Sequence, residues 1–368
     1  MKFTCDKNSL LREIAFAQEI IASKNALSIM SNVYLEVTDS KLLIRATDVK
    51  VSLETSIPIS DVVPGSMTVF CDKLTGILAS LPEGDITVEQ DGSRAVLRPA
   101  SKKARFQLKT LSGEKYPELP RAEEKSYFDI AAKEFRRMVA QTLFAVSTDE
   151  TRYFMNGVFM EKAPDGELIM VSTDGRRLAY IKNPMVTGVP DFRPVIIPTK
   201  VLGILNKRLS EEGLLSIAIT DKNIFFRFNA YQISSALIDG QFPNYQKVIP
   251  QNLKQKFSVK KEDLMEALKR VSIFVEQKSN RTFFSLGMGT LTLSSEETEL
   301  GAAREEIPCE YDGEDTMIAL NYRYIEEPLR VMESDTVTVE FSEPSRAIIV
   351  RPEPASDYFH VVMPMQID

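Results

Sequence analysis

Near the start of the chain, Phe3–Ile21 reads FTCDKNSLLREIAFAQEII. Apolar residues follow Phe3 at offsets of 7, 11 and 18, and the same offsets recur after Phe128 and Phe257. These positions are Leu10, Ile14 and Ile21, then Phe135, Val139 and Val146, then Leu264, Leu268 and Val275. Each stretch predicts a short strand that leads through a polar turn into an amphipathic helix. The predicted turn residues are Asn8, Lys133 and Glu262. The spacing indicates three diverged copies of one unit of about 125 residues.

Two further landmarks follow in the same order in every copy. The first is an alternating strand that ends in a hydroxyl residue and an acid. It occurs at Leu43–Asp48, Ile169–Asp174 and Leu291–Glu296. The second is a strand that runs into a helix, at Val69–Leu74, Ile196–Val201 and Ala319–Tyr324, with Pro198 expected in a first helical turn. Two helices among many strands predict an α+β fold, with helices packed against antiparallel sheets in each copy.

Proline-rich segments close the first two copies and are the natural linkers. They are Tyr116–Pro120 and Phe242–Pro250. We therefore predict domains at 1–123, 124–251 and 252–368.

Composition narrows the class of protein. The chain has 368 residues, a net charge of −7 and three cysteines without CxxC spacing, which disfavours a disulfide framework or a zinc site. No apolar run approaches the roughly 18 residues of a membrane span. We expect a cytoplasmic protein that is not bound to a membrane, with no metal and no cofactor. The net charge by itself argues mildly against nucleic acid as a partner.

The residues offer no recognisable catalytic centre. His360 lies in an apolar strand, so we expect a buried structural histidine. Gly287–Gly289 fits a hairpin turn better than a nucleotide-binding loop. Thr173–Arg177 suggests an acid and two arginines, but an Asp-Gly pair after a strand is first of all a turn, and exposed arginines suit a binding surface.

Positive charge concentrates on certain predicted helices. The predicted helix from Lys133 to Val146 carries Arg136 and Arg137, and the one from Pro198 to Leu209 carries Lys200, Lys207 and Arg208. The first helix of the third copy adds cations that acids partly offset, namely Lys260, Lys261, Lys269 and Arg270. For any single helix a solvated face is the simpler interpretation. Recurrence across copies favours a shared cationic surface suited to a phosphate backbone.

Along its whole length, the chain resembles the bacterial DNA polymerase III beta sliding clamp family. The stretches that carry the resemblance are Ala26–Asn32, Ser80–Gly84, Arg152–Gly157, Ser172–Leu178, Asp239–Tyr245 and Val362–Met365. Their order and spacing together are highly specific. The resemblance implies three similar domains, no catalytic residues, and a head-to-tail homodimeric ring around double-stranded DNA that is bound without sequence specificity. It also implies tethering of the polymerase alpha subunit, the clamp-loader ATPase, repair polymerases and other proteins that carry clamp-binding peptides.

In this family, partner peptides with apolar anchors bind between the second and third domains. The candidate peptide-binding residues are Met155, Thr173, Gly175, Arg176, Arg177, Leu178, Pro243, Lys247, Val248, Asn321, Tyr324, Arg346, Met363, Pro364 and Met365. Flexible methionines suit one pocket that serves several partners. The chain departs from the common pattern at Lys247, at Ser279 and in the longer tail Gln366–Asp368, which bears on peptide preference.

The resemblance and the basic helices together give candidates for DNA contact and for ring closure. The DNA candidates are Lys24, Lys73, Arg136, Arg137, Arg152, Tyr153, Phe154, Lys200 and Lys207, with one of the two aromatic residues expected to pack in the core. The dimer candidates are Phe106 and Leu108 of one chain against Ile273 and Phe274 of the other. Two alternatives stay open, a monomeric peptide-binding scaffold that does not encircle DNA and an enzyme built on Asp174, Arg176 and Arg177.

Overall fold

The computed structural model describes residues 1–21, 28–184 and 188–367. Within them each copy holds two α-helices among antiparallel strands. In the first copy the elements are β1 (Lys2–Asp6), α1 (Lys7–Ile20), β2 (Asn32–Thr38), β3 (Lys41–Thr47), β4 (Val51–Pro58), β5 (Ser60–Val63), β6 (Gly65–Phe70), α2 (Cys71–Ser80), β7 (Asp85–Asp91), β8 (Arg94–Pro99) and β9 (Phe106–Ser112).

The second and third copies repeat this order with one strand fewer, since four described strands rather than five separate their two helices. The second contains β10 (Phe128–Ala131), α3 (Ala132–Thr142), β11 (Gly157–Lys162), β12 (Leu168–Thr173), β13 (Arg177–Asn183), β14 (Val195–Pro198), α4 (Thr199–Arg208), β15 (Leu214–Ile219), β16 (Asn223–Phe228) and β17 (Tyr231–Ala236). The third contains β18 (Gln255–Lys260), α5 (Lys261–Val271), β19 (Arg281–Gly287), β20 (Thr290–Ser294), β21 (Arg304–Pro308), β22 (Thr316–Asn321), α6 (Tyr322–Leu329), β23 (Thr336–Phe341), β24 (Ile348–Glu353) and β25 (Tyr358–Val362).

Contacts divide the described chain into two units. The first consists of Met1–Ile130 and Gly213–Leu237, and the second of Ala131–Glu212 and Ile238–Asp368. In the first unit the strand order is β10-β15-β16-β17-β4-β3-β2-β6-β9-β8-β7-β1-β5. In the second unit one sheet runs β14-β11-β12-β13-β25-β24-β23-β18 and another runs β21-β20-β19-β22. The domain boundaries at 123 and 251 stay predictions.

The predicted amphipathic helices are confirmed by their buried faces. Leu10, Ile14 and Ala17 of α1 are at most 1% exposed, and Phe135 and Val139 of α3 are fully buried. Spacings of three and four residues place these side chains on one side of each helix, against the sheet. The residues that recur with helical spacing are therefore residues of the hydrophobic core.

The predicted polar turn between strand and helix is wrong. β1 ends at Asp6 and α1 begins at Lys7, without a loop, and the other two copies behave alike. The Asp6 carboxylate accepts a hydrogen bond from the backbone N–H of Ser9 at 2.7 Å, so a single extended residue ends the strand and caps the helix. Asn8, Lys133 and Glu262 consequently occupy the second position of their helices.

Two predicted helix ends also need correction. The helix predicted to reach Val146 ends at Thr142, whose φ of −124° is not helical, and the 3-10 turn Leu143–Ala145 follows. Pro198 does not lie in a first helical turn but ends β14, paired with Gly157. Its extended ψ of 143° makes it the residue before α4.

Candidate docking site and charged surfaces

The turn between β12 and β13 is built by Thr173 and Asp174. The Asp174 carboxylate accepts hydrogen bonds from the backbone N–H groups of Arg176, at 2.9 Å, and Arg177, at 3.1 Å. The Thr173 hydroxyl donates to the carbonyl oxygen of Arg177 at 2.6 Å and accepts from the N–H of Gly175 at 3.0 Å. The predicted turn is confirmed. Because the Asp174 carboxylate is hydrogen-bonded to the backbone of its own turn, the residue has a structural role. This role disfavours the alternative in which Asp174 is part of an enzyme active site.

Gly175 adopts a left-handed backbone conformation at this turn. Its φ is +88°, and a Cβ atom there would lie 3.0 Å from Nη1 of Arg152. Arg152 donates to the carbonyl oxygen of Asp174 at 3.2 Å and to the Asp149 carboxylate at 3.0 Å. Arg152, a candidate for DNA contact, is thus packed over the turn.

The same turn recurs between β3 and β4, although Asp48 is followed by neither a glycine nor an arginine. Asp48 accepts from the N–H groups of Lys50, at 3.0 Å, and Val51, at 2.6 Å. Thr47 donates to the carbonyl oxygen of Val51 at 3.0 Å and accepts from the N–H of Val49 at 3.0 Å. Val49 has a φ of +77°, where the second copy has Gly175. The first two copies therefore share the backbone of this turn and differ in its side chains.

Arg177 is not exposed, contrary to the expectation for a surface pair. Its side chain is 9% exposed, and its guanidinium donates to the Asp174 carboxylate at 3.1 Å, to the Glu327 carboxylate and to the carbonyl oxygen of Phe144 at 2.6 Å. The same group lies 4.5 Å from the ring centroid of Tyr324. Three anionic or carbonyl partners and an aromatic face offset the cost of burying this charge.

A cavity of about 490 Å³ lies beside this arginine. Six of the predicted peptide-binding residues line it, namely Arg176, Asn321, Tyr324, Met363, Pro364 and Met365. Asn321 also caps α6, because its side-chain oxygen accepts from the N–H of Arg323 at 3.0 Å. The cavity wall is therefore anchored to the start of a helix.

The C-terminal segment forms another wall of the cavity. Met363 donates its N–H to the carbonyl oxygen of Arg176 at 2.9 Å, and Met365 donates to Ala319 at 2.8 Å. Beyond it, Arg281 donates to the carbonyl oxygen of Gln366 at 2.9 Å and pairs with the Glu296 carboxylate. Arg281 lines the cavity and was missed by the sequence analysis, since only strand pairing brings β19 to the tail.

The other predicted docking residues lie in different settings within the second unit. Leu178 belongs to a buried cluster with Phe242 and Tyr245. The sequence neighbours of these two aromatic residues include Pro243, Lys247 and Val248. Met155 is 5% exposed and Thr173 is 8% exposed, so both are largely internal. Arg346 pairs with Glu343 at 3.2 Å and is not among the residues that line the cavity.

The predicted cationic helices carry charges that are partly neutralised. Arg137 pairs with Glu134 and Arg136 pairs with Glu211, each at 2.7 Å. Lys73 and Lys207 are exposed. Lys200 is half-buried, and Lys24 lies outside the described residues. Neighbouring acids therefore reduce the field of some of these helices.

The remaining candidates show mixed exposure. Tyr153 is 53% exposed, whereas Phe154 packs against the buried cluster that contains Phe242, so the expected division between the two aromatic residues is confirmed. Ile273 and Phe274 are 75% and 38% exposed. Phe106 and Leu108 are half-buried on β9.

His360 is fully buried, as predicted for a structural histidine. Burial disfavours the imidazolium and lowers its pKa from 6.5 to about 3.

Across residues 1–21, 28–184 and 188–367, no cluster of three His, Cys, Asp or Glu residues could hold a metal ion. In the same part of the chain no helix is long and apolar enough to span a membrane.

Comparison with known families decides the assignment. Residues 1–120, 129–244 and 246–366 match the N-terminal, central and C-terminal domains described for the DNA polymerase III beta subunit. The chain belongs to this family. It is 47% identical to the beta sliding clamp of Treponema pallidum over 372 residues, with both chains fully covered.

Solved structures agree with this membership. The sliding clamps of Pseudomonas aeruginosa and Bartonella birtlesii, both bound to griselimycin, match with TM-scores of 0.93 and 0.94 at 28% identity and full coverage of both chains. The chain thus has three tandem clamp domains. Its function is that of a DNA sliding clamp, a non-catalytic processivity factor in DNA replication.

Proposed function

We propose that two copies of this chain close head to tail into a ring in the cytoplasm, that the ring encircles duplex DNA, and that partner proteins dock in the cavity beside Arg177. A ring held by topology needs only weak phosphate contacts, so it slides while a tethered polymerase stays at high local concentration. The observation that carries the proposal is the full-length similarity to beta sliding clamps.

Two open strand edges support the head-to-tail contact. In β9, the segment that contains Phe106 and Leu108 pairs with β8, while β6 pairs only with residues further along. In the third copy, β21 is the last strand in its sheet order. An open edge offers backbone groups to a strand of another chain. We propose that β9 of one chain pairs with β21 of the other, and that Phe106 and Leu108 contact Ile273 and Phe274.

Charge complementarity supports the same pairing. Basic residues flank the β9 edge, at Arg94, Arg105 and Lys109. Acidic residues outnumber basic ones at the β21 edge. Glu262, Asp263, Glu266, Glu305 and Glu306 lie there, and Arg270 and Arg304 pair with the last three of them. Opposite potentials steer two such edges together and disfavour pairing of like edges.

The cavity suits a short peptide with apolar anchors. Met363, Pro364, Met365 and Tyr324 supply apolar surface, and Arg176 supplies an exposed cation at the rim. Methionines repack around different ligands, which suits docking of the polymerase alpha subunit, the clamp loader and repair polymerases at one place. We propose that griselimycin also binds in this cavity, with Lys247, Val248 and Arg346 as outer contacts.

DNA contact is assigned to residues spread over several elements. We propose that Lys24, Lys73, Lys200, Lys207 and Tyr153 contact the duplex, and that Arg136, Arg137 and Arg152 contribute less because each pairs with a carboxylate. Such contacts go to phosphates and carry no sequence information.

Light scattering combined with ligand binding tests the proposal. We expect a mass of twice 41.4 kDa and one griselimycin per chain. Met365→Asp should abolish griselimycin binding and leave the dimer intact, and Met288→Asp, at an exposed hairpin tip, should change neither. If the unmodified chain is a species of 41.4 kDa and still binds griselimycin, the result would instead support a monomeric peptide-binding scaffold.

A further inference from the structure

Glu327 lies outside the cavity yet bears on its shape. Its carboxylate, on α6, pairs with Nη1 of Arg177, which begins β13. One turn of α6 earlier, Tyr324 lines the cavity and lies under the same guanidinium, with 4.5 Å between the Arg177 Cζ and the ring centroid. A single planar group therefore contacts a carboxylate and an aromatic wall on one helix.

The other side of Arg177 is fixed as well. Its Nε donates to Asp174 and its Nη2 donates to the carbonyl oxygen of Phe144, so each of its three nitrogens has a partner. Asp174 and Phe144 belong to the second copy, and Glu327 belongs to the third. A planar fork held at three points cannot rotate without breaking one of them.

We propose that Glu327 is a positioning residue for the docking site, acting through Arg177 to hold the Tyr324 ring in its place as a cavity wall. This inference rests on the proposed docking function. Without the carboxylate, Nη1 loses its anionic partner, the guanidinium is held at two points instead of three, and the Tyr324 ring packs against a less firmly fixed face. The ligand then meets a wall that must be ordered on binding, which weakens its affinity.

Glu326 provides a matched control on the same helix. Its carboxylate pairs with Arg330, the residue that follows the end of α6, at 2.7 Å. Glu326→Gln removes the same charge from α6 and breaks an ion pair at the end of that helix, but leaves the Arg177 contacts in place. Any effect of α6 charge or helix stability alone should therefore appear equally in Glu326→Gln and Glu327→Gln.

The test measures griselimycin affinity by titration calorimetry on the full-length protein. We expect Glu327→Gln to weaken binding by about 5- to 10-fold, the range for a partly buried charge-assisted pair, while Glu326→Gln stays within about twofold of the unmodified chain. Incorporated 3-fluorotyrosine gives a second readout, with the Tyr324 resonance assigned by Tyr324→Phe. We expect Glu327→Gln to shift this resonance and Glu326→Gln to leave it unchanged.

The double variant decides the case in which Glu327→Gln also lowers the melting temperature. If Glu327 acts through Arg177, Glu327→Gln added to Arg177→Gln should cause no further loss of affinity, and additive losses would overturn the inference. Equal affinities for Glu327→Gln and the unmodified chain would also overturn it and leave the proposed docking function intact. Failure of the unmodified chain to bind griselimycin would reject the docking function itself.

Discussion

Met363 donates its backbone N–H to the carbonyl oxygen of Arg176 at 2.9 Å, and this bond has a counterpart in the first unit, from Ala236 to Lys50 at 2.7 Å. In both places the last strand of one copy pairs with the strand that follows the Asp turn of the preceding copy, as β25 pairs with β13 and β17 pairs with β4. The chain therefore holds two versions of one junction. Side chains, rather than backbone, distinguish the version that forms the docking cavity.

The two turns give a prediction of opposite sign at equivalent positions. Gly175→Ala should destabilise the protein by about 1–3 kcal/mol, because the alanine would adopt a left-handed conformation next to Arg152. Val49→Gly should stabilise it by about 0.5–1 kcal/mol, because Val49 is strained and 76% exposed, so that little burial is lost. Urea unfolding measures both, and the same sign for the two variants would contradict the equivalence.

Ring closure gives a prediction on assembly. Phe274→Asp should convert the dimer to a monomer, since it removes an apolar contact worth about 1.5–3 kcal/mol and places a carboxylate against the apolar side chains of Phe106 and Leu108. Sedimentation velocity checks the result at several protein concentrations. Met288→Asp is the control, because Met288 is 83% exposed at a hairpin tip of the same copy. A Phe274→Asp protein that stays dimeric would contradict the proposed contact.

The buried histidine gives a prediction on pH. The native state holds the pKa of His360 at about 3, below its ordinary value of 6.5, so the unfolded chain binds the proton between these values. The contribution of His360 to the free energy of unfolding should therefore be fully present above pH 6.5. Between pH 6.5 and pH 3 the free energy of unfolding should fall on acidification by about 1.4 kcal/mol per pH unit because of this group. Comparing the slope of unfolding free energy between pH 5 and 7 in the unmodified chain and His360→Phe checks this. Equal slopes would show that His360 does not titrate in the unfolding reaction.

Much of the fold could be predicted from periodicity alone. The positions 7 and 11 residues after Phe3, Phe128 and Phe257 lie on the buried faces of α1, α3 and α5, because helices against a sheet must bury one stripe. The positions at offset 18 lie beyond the ends of these helices. Local chain geometry was harder to predict. A single capping residue such as Asp6 replaces the expected turn, and nothing in composition distinguishes a one-residue cap from a short loop.

The site was predictable only in part, for physical reasons. The lining residues Tyr324 and Met365 were named from family resemblance, and the structure places both at the cavity. The burial of Arg177 depends on Phe144 and Glu327, which are far away in sequence, so pattern reasoning left it exposed. The repeat of the Asp turn at Val49 was hidden because a valine occupies a conformation that normally predicts glycine.

Retention of the loaded clamp on circular and linear DNA shows whether the protein is held on DNA by topology. The clamp is loaded with its clamp loader and ATP onto a nicked circular plasmid, half of the sample is linearised, and both halves are gel-filtered. We predict that protein stays with circles and runs off linear ends, and that Phe274→Asp is retained on neither. Equal loss from circular and linear DNA would contradict the sliding ring.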